Sequence, residues 1–486
     1  MHTLGEFFAR LTRRFLPEPM VIACLLTLLA AGLALFWPQN AELAGQGFGS
    51  RAVSVCTIWF GGVWNQDFLV FALQMCVVLL TGYGLAKAPP ATRFLRFLAS
   101  RVHSNRAAVV LVAAVSCLGC WINWGFGLIA AGVLATSVRQ ELLTRGKRCH
   151  YALIVAAAYG GMMIWHGGLS GSAPLRVAKE GVRIAAVGNA DEFSETLPAI
   201  AVTHTTLSPT NLGLTLLMFV GVPLLFATMA GKGQRIPDAY EDGAESNQPP
   251  INAPSHAPAA ATSTPRERLF VADRINRARL VPLLIALGFV VVIVHQLRQS
   301  GAAAIGLNFV NTVFLTLGLI LHRNLTEYVA AVAEGGRAIT GIVLQFPLYS
   351  GIQGIMFGAG LAAAMSQWFV DAAGTTAAWL HIAPTHTFPI ATFLSAGLVN
   401  LFVPSGGGQW IVQGPIMCGA ASSLGASIEQ TIMAVSYGDQ WTNMIQPFWA
   451  IPLMGLTGVN VRRFMGYCTL LMLLAAPVFI MALLLF

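Results

Sequence analysis

NLFVPSGGGQW, residues 400–410, interrupts an otherwise apolar run. A proline and three successive glycines cannot continue a helix. The stretch lies within residues 338–461, the longest part of the chain without Lys or Arg. Bare backbone at membrane depth is tolerated only where protein buries it or it lines a wet cavity. The reading is two half-helices meeting at a polar tip, with free amides and carbonyls turned toward a ligand. A short loop at the membrane surface is the competing reading. A second interruption of the same kind, nearer the N-terminus, favours the first.

Working outward, 56% of the 486 residues are hydrophobic and only 10% are charged, against about 25% charged in soluble proteins. Repeated apolar runs of spanning length predict an all-α polytopic membrane protein. The net charge of +8 gathers between apolar runs, as the positive-inside rule expects, so no nucleic-acid partner is implied. The eight cysteines mostly fall inside apolar runs, where Cys acts as a small hydrophobe. Cys117 and Cys120 form a CxxC without a second pair or a histidine pattern, so packing is favoured over a metal. Arg10, Arg13 and Arg14 precede a long run, residues 20–37, ending in Phe36 and Trp37; this reads as a retained first span.

Charge counting then orders the chain. The first span runs outward, residues 40–66 lie on the outer surface, and residues 68–86 return. Lys87, Arg93, Arg96, Arg101 and Arg106 mark the cytoplasmic side. Residues 107–138 are nearly uncharged, with CWINWGFG (120–127) at their midpoint and Arg139, Arg145, Lys147 and Arg148 beyond. Both flanks are inside, and 32 residues are too few for two spans of about 20. A re-entrant hairpin with its tip at Asn123-Trp124-Gly125 is predicted. A helix from about 151 to 174 goes outward and breaks at YGGMMIWHGGLSGSAP (159–174); residues 176–209 are external, and 211–230 return. Residues 231–279, rich in Pro, Ala, Ser and Asn, form a disordered cytoplasmic linker. This divides a first membrane repeat (1–230) from a second (280–486). Spans at 280–294, 303–321 and 339–365 follow. A second hairpin, about 387–423, enters from outside. A helix at about 431–456 breaks at GDQWTNMIQP (438–447), and residues 464–486 finish the chain outside.

Three landmarks recur in order. Leu73-Gln74 matches Leu344-Gln345, Asn123 matches Asn400, and Ala158-Tyr159-Gly160 matches Ser436-Tyr437-Gly438. The Gln-to-Asn spacings are 49 and 55 residues, and the Asn-to-Gly spacings 37 and 38. One hairpin mouth faces inside and the other outside, which is the signature of an inverted-topology duplication. In such folds discontinuous helices meet near the midplane to form the substrate and coupling-ion site.

The substrate candidates are Asn123, Trp124 and Gly125 on the first tip; Ser170 and Ser172 in the first break; Ser405, Gly406, Gly407, Gln409 and Trp410 on the second tip; and Thr442 and Asn443 in the second break. Half-helix N-termini suit a carboxylate. Trp121, Trp124, Trp410 and Trp441 either wall an apolar pocket for a short chain or serve as bulk packing. No Lys or Arg lies within these motifs, so a small monoanion fits better than a highly charged substrate. Asp439 is the only acid in the second break, and intramembrane carboxylates are costly and usually functional. It is expected to carry a proton or help bind a cation, with Asn123, Asn400, Ser405 and His166 as further coupling-ion candidates; bracing the break is its structural alternative. No cofactor or metal is expected beyond Na⁺ as an alternative coupling ion.

CWINWGFG, YGGMMIWHGGLSGSAPL, LQFPLYSGIQ, NLFVPSGGGQWIVQGP and YGDQWTNMIQPFWA together resemble the bacterial short-chain fatty acid transporter family. So do the opening RFLPEPMVIACLLTLL and the closing GYCTLLMLL. The resemblance implies uptake of acids such as acetoacetate or butyrate across a bacterial inner membrane. Kinship with the larger ion-transporter superfamily implies paired re-entrant hairpins, elevator-type motion and often a homodimer. A cation/proton antiporter or another organic-anion carrier on the same scaffold is the main rival. A membrane enzyme lacks a nucleophile–base pair or metal spacing, a sensor lacks an appended signalling domain, and an ATP-driven pump lacks the nucleotide motif.

Overall fold

The computed structural model describes residues 1–147, 149–186, 189–230, 271–304 and 306–486. Most of it is helix. Seven helical segments among these residues are long and apolar enough to cross a membrane. The most exposed is Leu280–Ser300, whose bare face carries Leu284, Leu287 and Val291. The large core cluster gathers around the broken helix that begins at Tyr151 and the C-terminal helix Val461–Leu484.

The first hairpin consists of Asn105–Ile122 and Trp124–Thr144, joined through Asn123 alone. Asn123 leaves helical geometry and accepts the Phe126 N–H at 3.1 Å, capping the second arm. Gly119 and Gly127 let the arms touch: a methyl placed on Gly127 would lie 2.5 Å from the Gly119 carbonyl carbon. The length argument for re-entry does not hold. Ser104 starts the first arm and the second runs on through Gln140 and Glu141, so the arms have 18 and 21 residues. At 1.5 Å per residue each is long enough to span.

The second hairpin is Pro384–Phe402 and Gly406–Leu424, with Val403, Pro404 and Ser405 at its tip. Ser405 caps the second arm by accepting the Gly408 N–H at 3.2 Å. The first broken helix is Tyr151–Tyr159, a tight turn Gly160–Met163, and Ser172–Glu180. The second is Ile428–Thr442, a tight turn Asn443–Ile445, and Pro447–Thr457. Its break therefore starts at Asn443 rather than 438, and Asp439 sits in the helical body. Gly438 lies inside that helix, and its bare Cα packs against the second hairpin, where a methyl would lie 2.2 Å from the Phe393 carbonyl oxygen.

Several expectations need correction. The predicted span at 339–365 is two helices, Thr340–Gly358 and Leu361–Leu380, bent by 60° where Gly360 takes positive φ. Residues 40–66 include a helix, Phe48–Val63, packed on Thr340–Gly358. The predicted external stretch holds an antiparallel hairpin, Val182–Ala186 with Asn189–Leu197, and Val182 and Ile184 are buried in the cluster around the second hairpin. Of the predicted linker, residues 231–270 lie outside the described residues, whereas Val271–Asn276 is helical. An unanticipated N-terminal helix, His2–Phe15, buries Gly5, Glu6 and Ala9 against the C-terminal helix.

Candidate functional site

Each hairpin holds one break. Ser116 donates to the Ala158 carbonyl and accepts the Gly161 N–H at 3.1 Å, so one hydroxyl satisfies backbone in the last turn of Tyr151–Tyr159 and in the tight turn that follows it. Leu169 N–H donates to the Trp121 carbonyl at 2.7 Å, and Trp124 N–H to Ser170 Oγ at 3.3 Å. At the second break the buried Asn400 amide faces the Asp439 carbonyl at 2.9 Å, Thr442 Oγ1 at 3.0 Å and Asn443 Oδ1 at 2.8 Å. Gln446 Nε2 returns to the carbonyls of Asn400 and Leu401, both at 3.1 Å.

The breaks are also tied to each other. Tyr159 donates to the carbonyls of Asn443 (2.7 Å) and Gln446 (3.1 Å). The N–H groups of His166 and Gly167 converge on Gln440 Oε1 at 2.9 and 3.1 Å. At the centre His166 Nδ1 meets Asp439 Oδ2, with both side chains fully buried. His166 Nε2 accepts the Ala173 N–H at 3.1 Å. That nitrogen must present its lone pair, so the ring proton belongs on Nδ1, facing the carboxylate. Asp439 Oδ1 has no partner among the described residues. The pair thus pits one carboxylate against a neutral donor in a buried setting, where a lone negative charge is costly.

The second tip reaches the same place. A methyl on Gly406 would lie 2.7 Å from His166 Cε1 and 2.9 Å from Trp165 Cη2, whereas one on Gly407 would only touch Ser172 Cβ at 3.9 Å. The first tip arrives through Trp124, whose ring centre is 4.7 Å from that of Trp449 and 6.2 Å from that of Trp165. Both hairpins and both breaks therefore contribute to one buried cluster. Asn123, Trp124, Ser170, Ser172, Ser405, Gly406, Gly407, Asn400, Thr442, Asn443, His166 and Asp439 belong to it or to its immediate supports. Gly125 lies just past the first tip, beside Leu307.

Other candidates point elsewhere. Gln409 donates to the Ala396 carbonyl at 2.9 Å and to Gln413 at 2.7 Å, tying together the arms of its own hairpin. Trp410 is buried with Phe388, Met417 and Val435. Trp441 donates to the Met472 carbonyl at 2.7 Å and packs on Phe393. Sequence reasoning missed Trp165, Trp449 and Tyr349, and it missed Asn211, which bridges the Gly167 carbonyl (2.8 Å) and the Tyr437 hydroxyl (3.0 Å). Trp165 adjoins His166, and Trp449 follows the Pro447 that closes the second break; those positions were the available signal. An apolar cleft of about 670 Å³ between Pro209–Met229 and Val461–Leu484 shares no lining residue with the cluster.

The family model for the short chain fatty acid transporter matches residues 1–486. A protein of Escherichia coli K12 named "Putative short-chain fatty acid transporter" is 33% identical over 488 residues, covering 99% of both chains. One of the same name from Haemophilus influenzae is 32% identical over 482 residues, covering 99% of this chain and 98% of its own. Among solved structures, Neisseria gonorrhoeae MtrF, described as illuminating a class of antimetabolite efflux pumps, aligns at 13% identity with a TM-score of 0.38, covering 98% of this chain and 96% of its own. The Alcanivorax borkumensis YdaH transporter aligns at 17% with a TM-score of 0.41, covering 96% and 98%. Those two likenesses decide nothing about fold or mechanism. The whole-chain match and the two relatives do decide the family: this multi-pass membrane protein belongs to the short-chain fatty acid transporter family.

Proposed function

We propose that the chain is a secondary active transporter of small monocarboxylates, such as acetoacetate or butyrate, across the bacterial inner membrane. One observation carries this reading: two hairpins and two broken helices converge on a buried His166–Asp439 pair with an unpartnered carboxylate oxygen. Protonation of Asp439 at Oδ1 neutralises the pair and gives a carrier of H⁺. A Na⁺ reading has its own support. Asp439 Oδ1 and Asn400 Oδ1, on elements joined by the Asn400 amide, are buried oxygens without partners among the described residues, and hard cations take oxygen ligands. The halves form an inverted repeat whose hairpins each enter and leave on one face, with arms long enough to reach across in the first, and the clamped breaks move together as an elevator, in a homodimer. The N-terminus and central linker lie in the cytoplasm. The family membership, not any missing motif, sets the enzyme reading aside.

The test is uptake of labelled butyrate and acetoacetate into proteoliposomes, with pH and Na⁺ gradients imposed separately and Asp439→Asn run alongside. Accumulation driven by one gradient identifies the ion. Asp439→Asn is expected to exchange substrate without concentrating it. If the folded parent takes up no short monocarboxylate, the substrate assignment fails and the antiporter reading replaces it.

A further inference from the structure

We infer that the substrate's carboxylate is received by three uncharged donors, the indole N–H groups of Trp165 and Trp449 and the phenol O–H of Tyr349. The inference rests on the transport reading above and adds the headgroup subsite to it. All three side chains are almost wholly buried, at 2%, 2% and 0% exposure. The polar atom of each has no hydrogen-bond partner among the described residues. Buried indole and phenol groups ordinarily find an acceptor, because leaving one unmade forfeits its hydration.

The three belong to one packed set. Trp165 and Trp449 have ring centres 6.3 Å apart. Phe448 joins Trp449 at 4.9 Å to Tyr349 at 5.0 Å. They come from three elements: the first break, the helix after the second break, and Thr340–Gly358. The same set meets both hairpin tips, through Trp124 on Trp449 and Gly406 beside Trp165. It also adjoins the coupling pair, since Trp165 stacks on His166 at 4.4 Å.

The chemistry selects the ligand. An indole N–H donates and cannot accept, and a carboxylate is acceptor-only. Three neutral donors match one buried negative charge; a second carboxylate would find no counter-charge in the set. Phe346, stacked on Phe448 at 4.1 Å, and Trp124 make the surroundings of these donors apolar.

The experiment is butyrate counterflow in proteoliposomes of the full-length protein, comparing Tyr349→Phe, Trp165→Phe and Trp449→Phe with the parent. Losing one donor to a charged acceptor is expected to raise the half-saturation concentration about tenfold, with the maximal rate little changed. The shift should be the same for propionate, butyrate and hexanoate, which share the headgroup. Tyr349→Phe removes a single oxygen and keeps the ring, so it decides the matter if either tryptophan variant fails to fold. Unchanged half-saturation in Tyr349→Phe, or shifts that grow or vanish with chain length, would overturn the headgroup role. A parent that exchanges no short monocarboxylate overturns the transport reading instead, so the two failures are distinguishable.

Discussion

A histidine whose far nitrogen already accepts a backbone amide has one place left for its proton. In His166 that place faces Asp439, so the pair has a fixed direction. Gly406 closes over it. Gly406→Ala should lower counterflow about tenfold or more, because its methyl must displace His166 and Trp165. Gly407→Ala, whose methyl meets only Ser172 at ordinary contact distance, should stay near the parent rate. Equal losses in both variants would mean that the tip tolerates nothing and that the histidine contact is incidental. His166 and Asp439 were legible as candidates because ionisable groups are rare in apolar sequence. Their pairing was not, since 273 residues separate them. Trp165, Trp449 and Tyr349 were hidden for a different reason. An aromatic in an apolar run looks like core until its polar atom is seen without a partner.

At the scale of the element, each hairpin depends on backbone contact at its tip. Gly127→Ala sets a methyl against the Gly119 carbonyl carbon, which cannot rotate away. It should destabilise the protein by about 1–3 kcal/mol, read as a lower melting temperature in detergent. Gly32→Ala, with open space around it, is the matched control. Ser405→Ala removes the cap on the second arm and should cost about 1 kcal/mol. The second tip was readable as an interruption of apolar sequence, but the three glycines expected to stop a helix instead open one, Gly406–Leu424, because the Ser405 side chain caps their first turn. Helix ends were less readable. Apolar composition stops at 138, but the helix continues to Thr144 because hydrogen bonding is indifferent to polarity near a membrane face. Helix Leu361–Leu380 went unseen because its Trp, Ser, Gln, Asp and Thr dilute the apolar pattern.

At the scale of the molecule, the N-terminal helix is latched to two distant elements. Glu6 accepts from Tyr467 at 2.7 Å on the C-terminal helix and lies 3.2 Å from His150 Nε2 at the start of the first broken helix. Burial pushes the Glu6 carboxyl up, but the hydrogen bonds from His150 and Tyr467 and the nearby imidazoles outweigh it and hold the carboxyl below its ordinary value. A depressed folded value means the latch contributes fully above the unfolded value, near 4.5, and is lost as pH falls through the folded one. Melting temperatures scanned downward from pH 7 should therefore fall more for the parent than for Glu6→Gln; parallel curves would remove Glu6 from the account. No sequence pattern announced this latch, because its members lie at positions 6, 150 and 467. The separation of His166 from Asp439 has a consequence for biosynthesis. Ribosomes add about 5–20 residues per second, so Asp439 emerges roughly 15–50 s after His166. The imidazole is made first, so when Asp439 enters the membrane the donor that will face it is already in the chain.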